Sequence, residues 1–259
     1  MAFVDDFDGD DLDLAVWVPA YLPVWSSTEA ARARYEVGGS CLRLSIPVDQ
    51  GLWCPDTHPG PLRVSGIQSG AWSGPVGSEQ GQQRFRDGLR VREAQARREG
   101  WLPSEGRVAV RCRMEISHRS MAAVWLSGWE EDPDDAGELC LVEVFGDAVG
   151  DGSAEVGMGV KALHDPRLRP DFAAPALPID VAEHHDYAVE WDAAEARFSV
   201  DGRVVRTAAD PPTYPLQAMV AVFDFPDRST GEDDHLVPVL EVERITGVGP
   251  GSDRRRGGR

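Results

Sequence analysis

Gly137-Glu138-Leu139-Cys140-Leu141-Val142-Glu143 is the stretch on which the fold turns. Leu139 and Leu141 fall on one face of an extended strand, and Glu138 and Cys140 on the other. Strict alternation would group Val142 with the acid and the thiol and send Glu143 into the core. A β-bulge adds one residue and rotates Glu143 onto the polar face. The expectation is therefore a bulge near Leu141-Val142, with two carboxylates and a thiol on one surface. At ~3.3 Å per residue the backbone gap between the glutamates is about 13–16 Å. Their side chains converge only if the strand curves and its hollow side faces a cleft. An edge strand with exposed acids has the same spacing, so spacing alone leaves both readings open.

Outward from this stretch the recurring signal has period two. Leu42, Leu44 and Ile46 alternate with Arg43 and Ser45. Val108, Val110, Cys112, Met114 and Ile116 alternate with Ala109, Arg111, Arg113 and Glu115, and Tyr187, Val189 and Trp191 with Ala188 and Glu190. Phe198 and Val200 run into Asp201-Gly202, a hairpin signal, before Val204 and Val205. Met219 to Phe225 is nearly all apolar, as in a strand covered on both faces. Helical periodicity is weak; Ser27 to Tyr35 is the one short helix expected, with Ser27 as its N-cap. Residues 73–106, rich in Gly, Gln and Arg, read as a long loop. Together these predict an all-β, two-sheet antiparallel sandwich of the jelly-roll type over 1–246, and a disordered Gly/Arg tail over 247–259.

The chain has 259 residues, 42% of them hydrophobic, with eight Trp and eight Phe, enough to fill one large core. A formal net charge of −18 repels phosphate backbones and argues against nucleic acid as a partner. No apolar run approaches the roughly 20 residues of a membrane span. Cys41, Cys54, Cys112 and Cys140 show no C-x-x-C spacing, so no zinc site is expected and reduced thiols are. The N-terminus shows no signal-peptide pattern. The expectation is a cytoplasmic monomer, or a secreted one if a leader has been removed. Gly157-Met158-Gly159-Val160-Lys161-Ala162 resembles a dinucleotide fingerprint, but Pro166 and Pro170 follow too soon for the helix it requires.

Residues 137–143 resemble the E-x-D-x-x-E signature of family 16 glycoside hydrolases, the family of laminarinases, lichenases and xyloglucan transferases. Further segments follow in the family's order: Asp5-Asp6-Phe7-Asp8-Gly9, Gly39-Ser40-Cys41-Leu42-Arg43-Leu44, Arg107 to Arg113, Met121-Ala122-Ala123-Val124-Trp125-Leu126, His185 to Trp191, and Phe198-Ser199-Val200-Asp201-Gly202. The resemblance implies a concanavalin A-like jelly roll and a retaining glycosidase, whose carboxylates sit about 5–5.5 Å apart. Glu138 takes the nucleophile position and Glu143 that of the acid/base.

The family's middle aspartate is here Cys140, a weak donor expected to be neutral because two glutamates oppose its ionisation. It is expected to give one weak hydrogen bond to Glu138. Loss of that carboxylate is expected to lower the pKa of both glutamates. Trp125, Trp129, Trp72, Gln68, His164, Phe145 and Phe223 are the candidate sugar-binding residues, with core packing as the alternative for each tryptophan. No organic cofactor is implied; a structural calcium at Asp6 and Glu241 is the one metal considered.

The sequence thus predicts a retaining hydrolase or transglycosylase acting on oligo- or polysaccharides of the β-linked glucan or galactan type. Two alternatives stay open: a non-catalytic carbohydrate-binding protein on the same fold, and a cytoplasmic enzyme of small glycosides.

Overall fold

A computed structural model describes residues 2–249. Fourteen strands make up its two main sheets. They are β1 (Ala2–Asp5), β2 (Tyr35–Val37), β3 (Leu42–Ser45), β4 (Arg63–Gln68), β5 (Gly106–Glu115), β6 (Ser120–Gly128), β7 (Glu138–Phe145), β8 (Gly157–Lys161), β9 (Asp171–Ala173), β10 (His185–Trp191), β11 (Glu195–Val200), β12 (Arg203–Ala209), β13 (Leu216–Asp224) and β14 (Val239–Val248). The eight-stranded sheet runs β12-β11-β10-β5-β14-β3-β2, with β1 also on β14; the six-stranded sheet runs β9-β8-β7-β6-β13-β4. Every pairing in both is antiparallel. The two-sheet sandwich expected from the alternating pattern is the fold observed.

The main core lies between the sheets, where Leu42, Leu44, Val108, Val110, Tyr187, Val189 and Phe198 meet Leu126, Leu139, Leu141, Val160 and Val220. β5 alternates as its sequence does, buried on one side and half-exposed on the other. β6 and β13 are buried at every residue, which accounts for their unbroken apolar runs. The second face of the six-stranded sheet carries a smaller cluster. In it Trp125, Cys140, Met219 and Phe223 are covered by Trp25, Trp53, Leu89 and Val91 from connecting segments.

Two local expectations need correction, the helix at 27–35 and the boundary at 246. Residues 27–35 form no helix. Ser27 does cap a turn, through Ala30 N–H to its Oγ (3.0 Å) and Ala31 N–H to its carbonyl (2.9 Å). The Ala33 N–H then bonds Pro19 and the chain extends into β2, because no apolar stripe rewards a second turn. Residues 73–106 form the long loop expected, broken only by one two-residue strand before β5 begins, and are anchored at several points. Leu89 and Val91 are buried, Arg92 N–H bonds the Val24 carbonyl (2.9 Å), and Arg98–Glu99 pairs with Gly70–Ala71. The boundary at 246 falls inside β14, where Gly247 pairs with Phe3 and Val108. The remainder of the expected tail, 250–259, lies outside the described residues.

All four cysteines are free thiols. Asp6 bonds Arg244, and Glu241 bonds Arg113 (2.7 Å) and Arg43 (3.4 Å), so both residues considered for calcium are engaged by arginines. Among the described residues no group of three or more His, Cys, Asp or Glu is placed to hold a metal ion, and no helix is long and apolar enough to cross a membrane.

Gly159 fixes the register beside the site. It pairs with Cys140, takes a φ of +137°, and a Cβ there would stand 2.2 Å from the Asp171 carbonyl oxygen. Gly159→Ala is expected to cost about 2 kcal/mol or more. Chemical denaturation of the variant beside the parent measures it.

Candidate active site

The bulge lies where the sequence places it. Val124 of β6 pairs with Val142, but Trp125 pairs with Cys140, leaving Leu141 as the extra residue; β8 skips in step, with Gly157 opposite Glu143 and Gly159 opposite Cys140. Leu141 and Val142 both enter the core between the sheets. Glu138, Cys140 and Glu143 are thereby gathered on the opposite face, with Phe145 following them.

Glu138 is 9% exposed. Ser127, its partner across β6, donates a 3.4 Å hydrogen bond to Oε1, and the Trp125 side chain supplies another. Burial pushes the Glu138 pKa up to about 7; Lys161 pulls it down, and Glu143 pushes it up. The expected lowering is therefore overridden by desolvation at Glu138. Lys161, the only lysine in the chain, pairs in register with Glu138, but its Nζ reaches diagonally to Glu143 Oε2 at 2.7 Å. The same ammonium sits 4.5 Å from the centre of the Phe172 ring. Burial works against its charge, yet the surrounding groups, with Glu143 hydrogen-bonded to it, raise its pKa.

Cys140 is 1% exposed, and its thiol pKa lies well above the ordinary value. Burial is the main cause; the glutamates, taken as the reason in the sequence, come second. Its Sγ is 3.7 Å from the Gly157 carbonyl, to which it donates, rather than to Glu138 as expected. Ser127 and Trp125 perform the orienting task instead.

The candidate sugar-binding residues divide. Trp125 and Phe223 lie on the Glu138 face, with Tyr21 edge-on to both (ring centroids 6.4 and 5.3 Å). Phe145 stacks with Phe225 at 6.2 Å, and the Arg228 guanidinium lies over both rings. His164 lines a cleft of about 190 Å³ with Glu138, its Nε2 3.0 Å from the Arg84 carbonyl oxygen. Gln68, Trp72 and Trp129 serve the scaffold. Gln68 accepts from Leu22 N–H (3.0 Å) and donates to the Gly70 carbonyl (2.6 Å), while Trp72 Nε1 donates to the Trp129 carbonyl (2.8 Å). Trp129 is 3% exposed.

Sequence reasoning missed Lys161 as a site residue, and with it Tyr21, His58, Phe85 and Glu130, which share the cleft with Glu138 or its aromatic wall. The aromatic residues arrive on connecting segments, where no periodicity marks them. Lys161 becomes visible only once β8 is set beside β7.

Residues 104–225 match the family model for glycosyl hydrolases family 16. The match spans a little under half of the chain. Among solved structures, an endo-β-galactosidase from Clostridium perfringens that releases GlcNAcα1-4Gal superimposes with a TM-score of 0.80 at 22% identity. The match covers 94% of this chain and 60% of that one, so the chain spans about three-fifths of that enzyme's length. An endo-acting O-glycanase of the human gut microbiota gives 0.64 at 17% identity, covering 95% and 98% of the two chains. The laminarinase catalytic domain from Thermotoga petrophila gives 0.63 at 14%, covering 94% and 95%. At such identities the likeness is one of fold. No curated protein matches the sequence.

The buried Glu138 makes a prediction for stability. Between its ordinary value of 4.5 and about 7, folded Glu138 retains a proton that the unfolded chain has released, so its contribution falls as pH rises through that window. Glu138→Gln removes this loss. Denaturant titrations should show the stability of the variant relative to the parent rising by about 3 kcal/mol between pH 4 and pH 8.

Proposed function

We propose that this chain is a retaining glycoside hydrolase or transglycosylase acting on β-linked glycans of the glucan or galactan type. The bulge at Leu141 carries the reading, because it brings Glu138 and Glu143 to one face of one strand. The Glu138 carboxylate attacks the anomeric carbon as the bond to the leaving oxygen breaks, and Glu143, in its protonated form, gives that oxygen its proton. A covalent glycosyl-enzyme results. Water or a sugar hydroxyl then attacks the same carbon, Glu143 takes the proton back, and Glu138 is released.

Ser127 and Trp125 hold the attacking carboxylate in place. Half-buried rings on the same face, Tyr21, Phe85, Phe145, Phe172 and Phe225, offer surfaces on which the apolar faces of pyranose rings pack. The likeness to enzymes of both galactose- and glucose-based glycans supports this substrate class. The four free thiols support a reducing, cytoplasmic setting.

The parent is expected to release oligosaccharides from at least one of laminarin, barley β-glucan, agarose and mucin O-glycans, detected by mass spectrometry. Glu138→Ala and Glu143→Ala should each lower kcat by about 10⁴-fold or more with the fold intact. Azide should partly restore Glu138→Ala by attacking the anomeric carbon from the vacated side, giving a glycosyl azide. In the parent, kcat/KM should rise with pH through about 7 as Glu138 ionises. Binding without turnover in the parent, unchanged in both variants, would show a carbohydrate-binding protein instead.

A further inference from the structure

Glu130 belongs to the connection between β6 and β7, outside the catalytic strand, yet it lines the same cleft as Glu138. It is 6% exposed and has a φ of +55°, a left-handed conformation unusual for a residue with a side chain. Its Oε1 accepts a 2.6 Å hydrogen bond from the backbone N–H of Gln83. Gln83 also lines the cleft, also has a positive φ (+50°), and its side-chain Nε2 is buried without a hydrogen-bond partner. Two non-glycine residues in a left-handed conformation therefore meet at one wall of the cavity.

Their neighbours carry the structural connection between these segments. Gln82 donates from Nε2 to the Trp129 carbonyl (3.2 Å), accepts Trp72 N–H at Oε1 (3.2 Å), and receives Trp25 Nε1 at its own carbonyl (2.7 Å). The segments are thus clamped one residue before Gln83 and Glu130. Glycine would adopt both backbone conformations at lower cost. What glycine would lack is a carboxyl and an amide beside Glu138. Leu22 and Leu163 line the same cleft, again with positive φ (+41° and +47°). Strained backbone gathered at one cavity is a mark of a binding site.

We infer that Glu130 and Gln83 form a sugar-binding subsite beside Glu138, holding a neutral pyranose of the glycan through its hydroxyl or acetamido oxygens. The subsite rests on the glycan-cleaving reading and names residues which that reading does not use. The chemistry suits such a ligand. Burial, with Glu138 adding to it, raises the Glu130 pKa to about 8, so near neutrality its carboxyl is an uncharged donor and acceptor. Gln83 Nε2 adds a donor whose hydrogen-bonding capacity is unused among the described residues. The titratable and charged groups sharing the cavity are Tyr21, His58, Arg84, Glu138 and His164.

The test uses the full chain with laminarihexaose and neoagarohexaose as neutral probes, followed by calorimetric titration and by hydrolysis. Glu130→Ala and Gln83→Ala are each expected to raise KM about tenfold, equivalent to about 1.4 kcal/mol, with kcat within about twofold. Glu130→Gln keeps the shape, an acceptor and a donor without a charge, and should stay near the parent at pH 7. Above pH 8 the parent's KM should rise as Glu130 ionises, while that of Glu130→Gln stays flat. A parent that cleaves a probe, with folded Glu130→Ala and Gln83→Ala variants of unchanged KM, overturns the subsite and leaves the enzyme reading standing. If Glu130→Ala does not fold, a KM for Glu130→Gln that rises above pH 8 as steeply as the parent's has the same force. A parent that neither binds nor cleaves either hexasaccharide, nor any glycan of the wider panel, sinks both readings together.

Discussion

A β-strand repeats every two residues, and five residues separate Glu138 from Glu143. An odd separation puts two side chains on opposite faces, so an unbroken β7 could not present both acids to one cleft. The single residue inserted at Leu141 resolves this, at the price of a register shift that both neighbours must share. β6 absorbs it between Val124 and Trp125, and β8 between Gly157 and Gly159. The glycines of β8 are part of the solution. A Cβ on Gly157 would meet Phe172 at 2.6 Å and Glu143 Cβ at 3.3 Å, so the bare backbone leaves the Glu143 side chain its space. Both leucine and valine of the bulge are still buried between the sheets, and the deviation therefore sacrifices no core contact.

Once the acids share a face, their charges have to be accommodated in a region with little water. Removing a carboxylate from water costs several kcal/mol unless it is paired or protonated. The site uses both remedies. Lys161 pairs with Glu143, whereas Glu138 and Glu130 have pKa values raised to about 7 and about 8 and so retain protons to higher pH. In this setting the cysteine at 140 is intelligible. An aspartate there would add a fourth acid to a face with one lysine. The thiol stays neutral, fills the space opposite Trp125, and donates a hydrogen bond to the Gly157 carbonyl at the bulge. The Glu138 carboxyl is steered by Ser127 and Trp125 instead of by a neighbouring carboxyl.

The strands, their hairpins and even the bulge were legible in the sequence, because each follows from a local alternation or from its interruption. What the sequence left hidden depends on contacts between distant segments. Lys161 lies 18 residues from its partner Glu143 and meets it only through strand register. Gln68 and Trp129 look like site residues by position, yet their polar atoms or bulk serve the backbone of neighbouring loops. Tyr21 and Phe85 carry no period that would distinguish them from ordinary core aromatics. The helix expected after Ser27 failed for a related reason: a cap can start a turn, but only a buried stripe extends it.

The distribution of backbone strain links the fold to the cleft. Nine non-glycine residues among those described have positive φ, and four of them, Leu22, Gln83, Glu130 and Leu163, line the cavity that contains Glu138. They come from four separate connections, so no single tight turn explains the coincidence. A left-handed conformation costs each of them about 1–2 kcal/mol, and a scaffold sustains that only where surrounding contacts over-determine the backbone. Those contacts are visible in Gln68, which holds Leu22, and in Gln82, which ties its own segment to Trp129. The rigid sheet supplies the paired glutamates, and the strained connections, clamped one residue away, turn further side chains towards them. The sandwich thus presents the paired glutamates, and the loops fixed against it line the cleft beside Glu138.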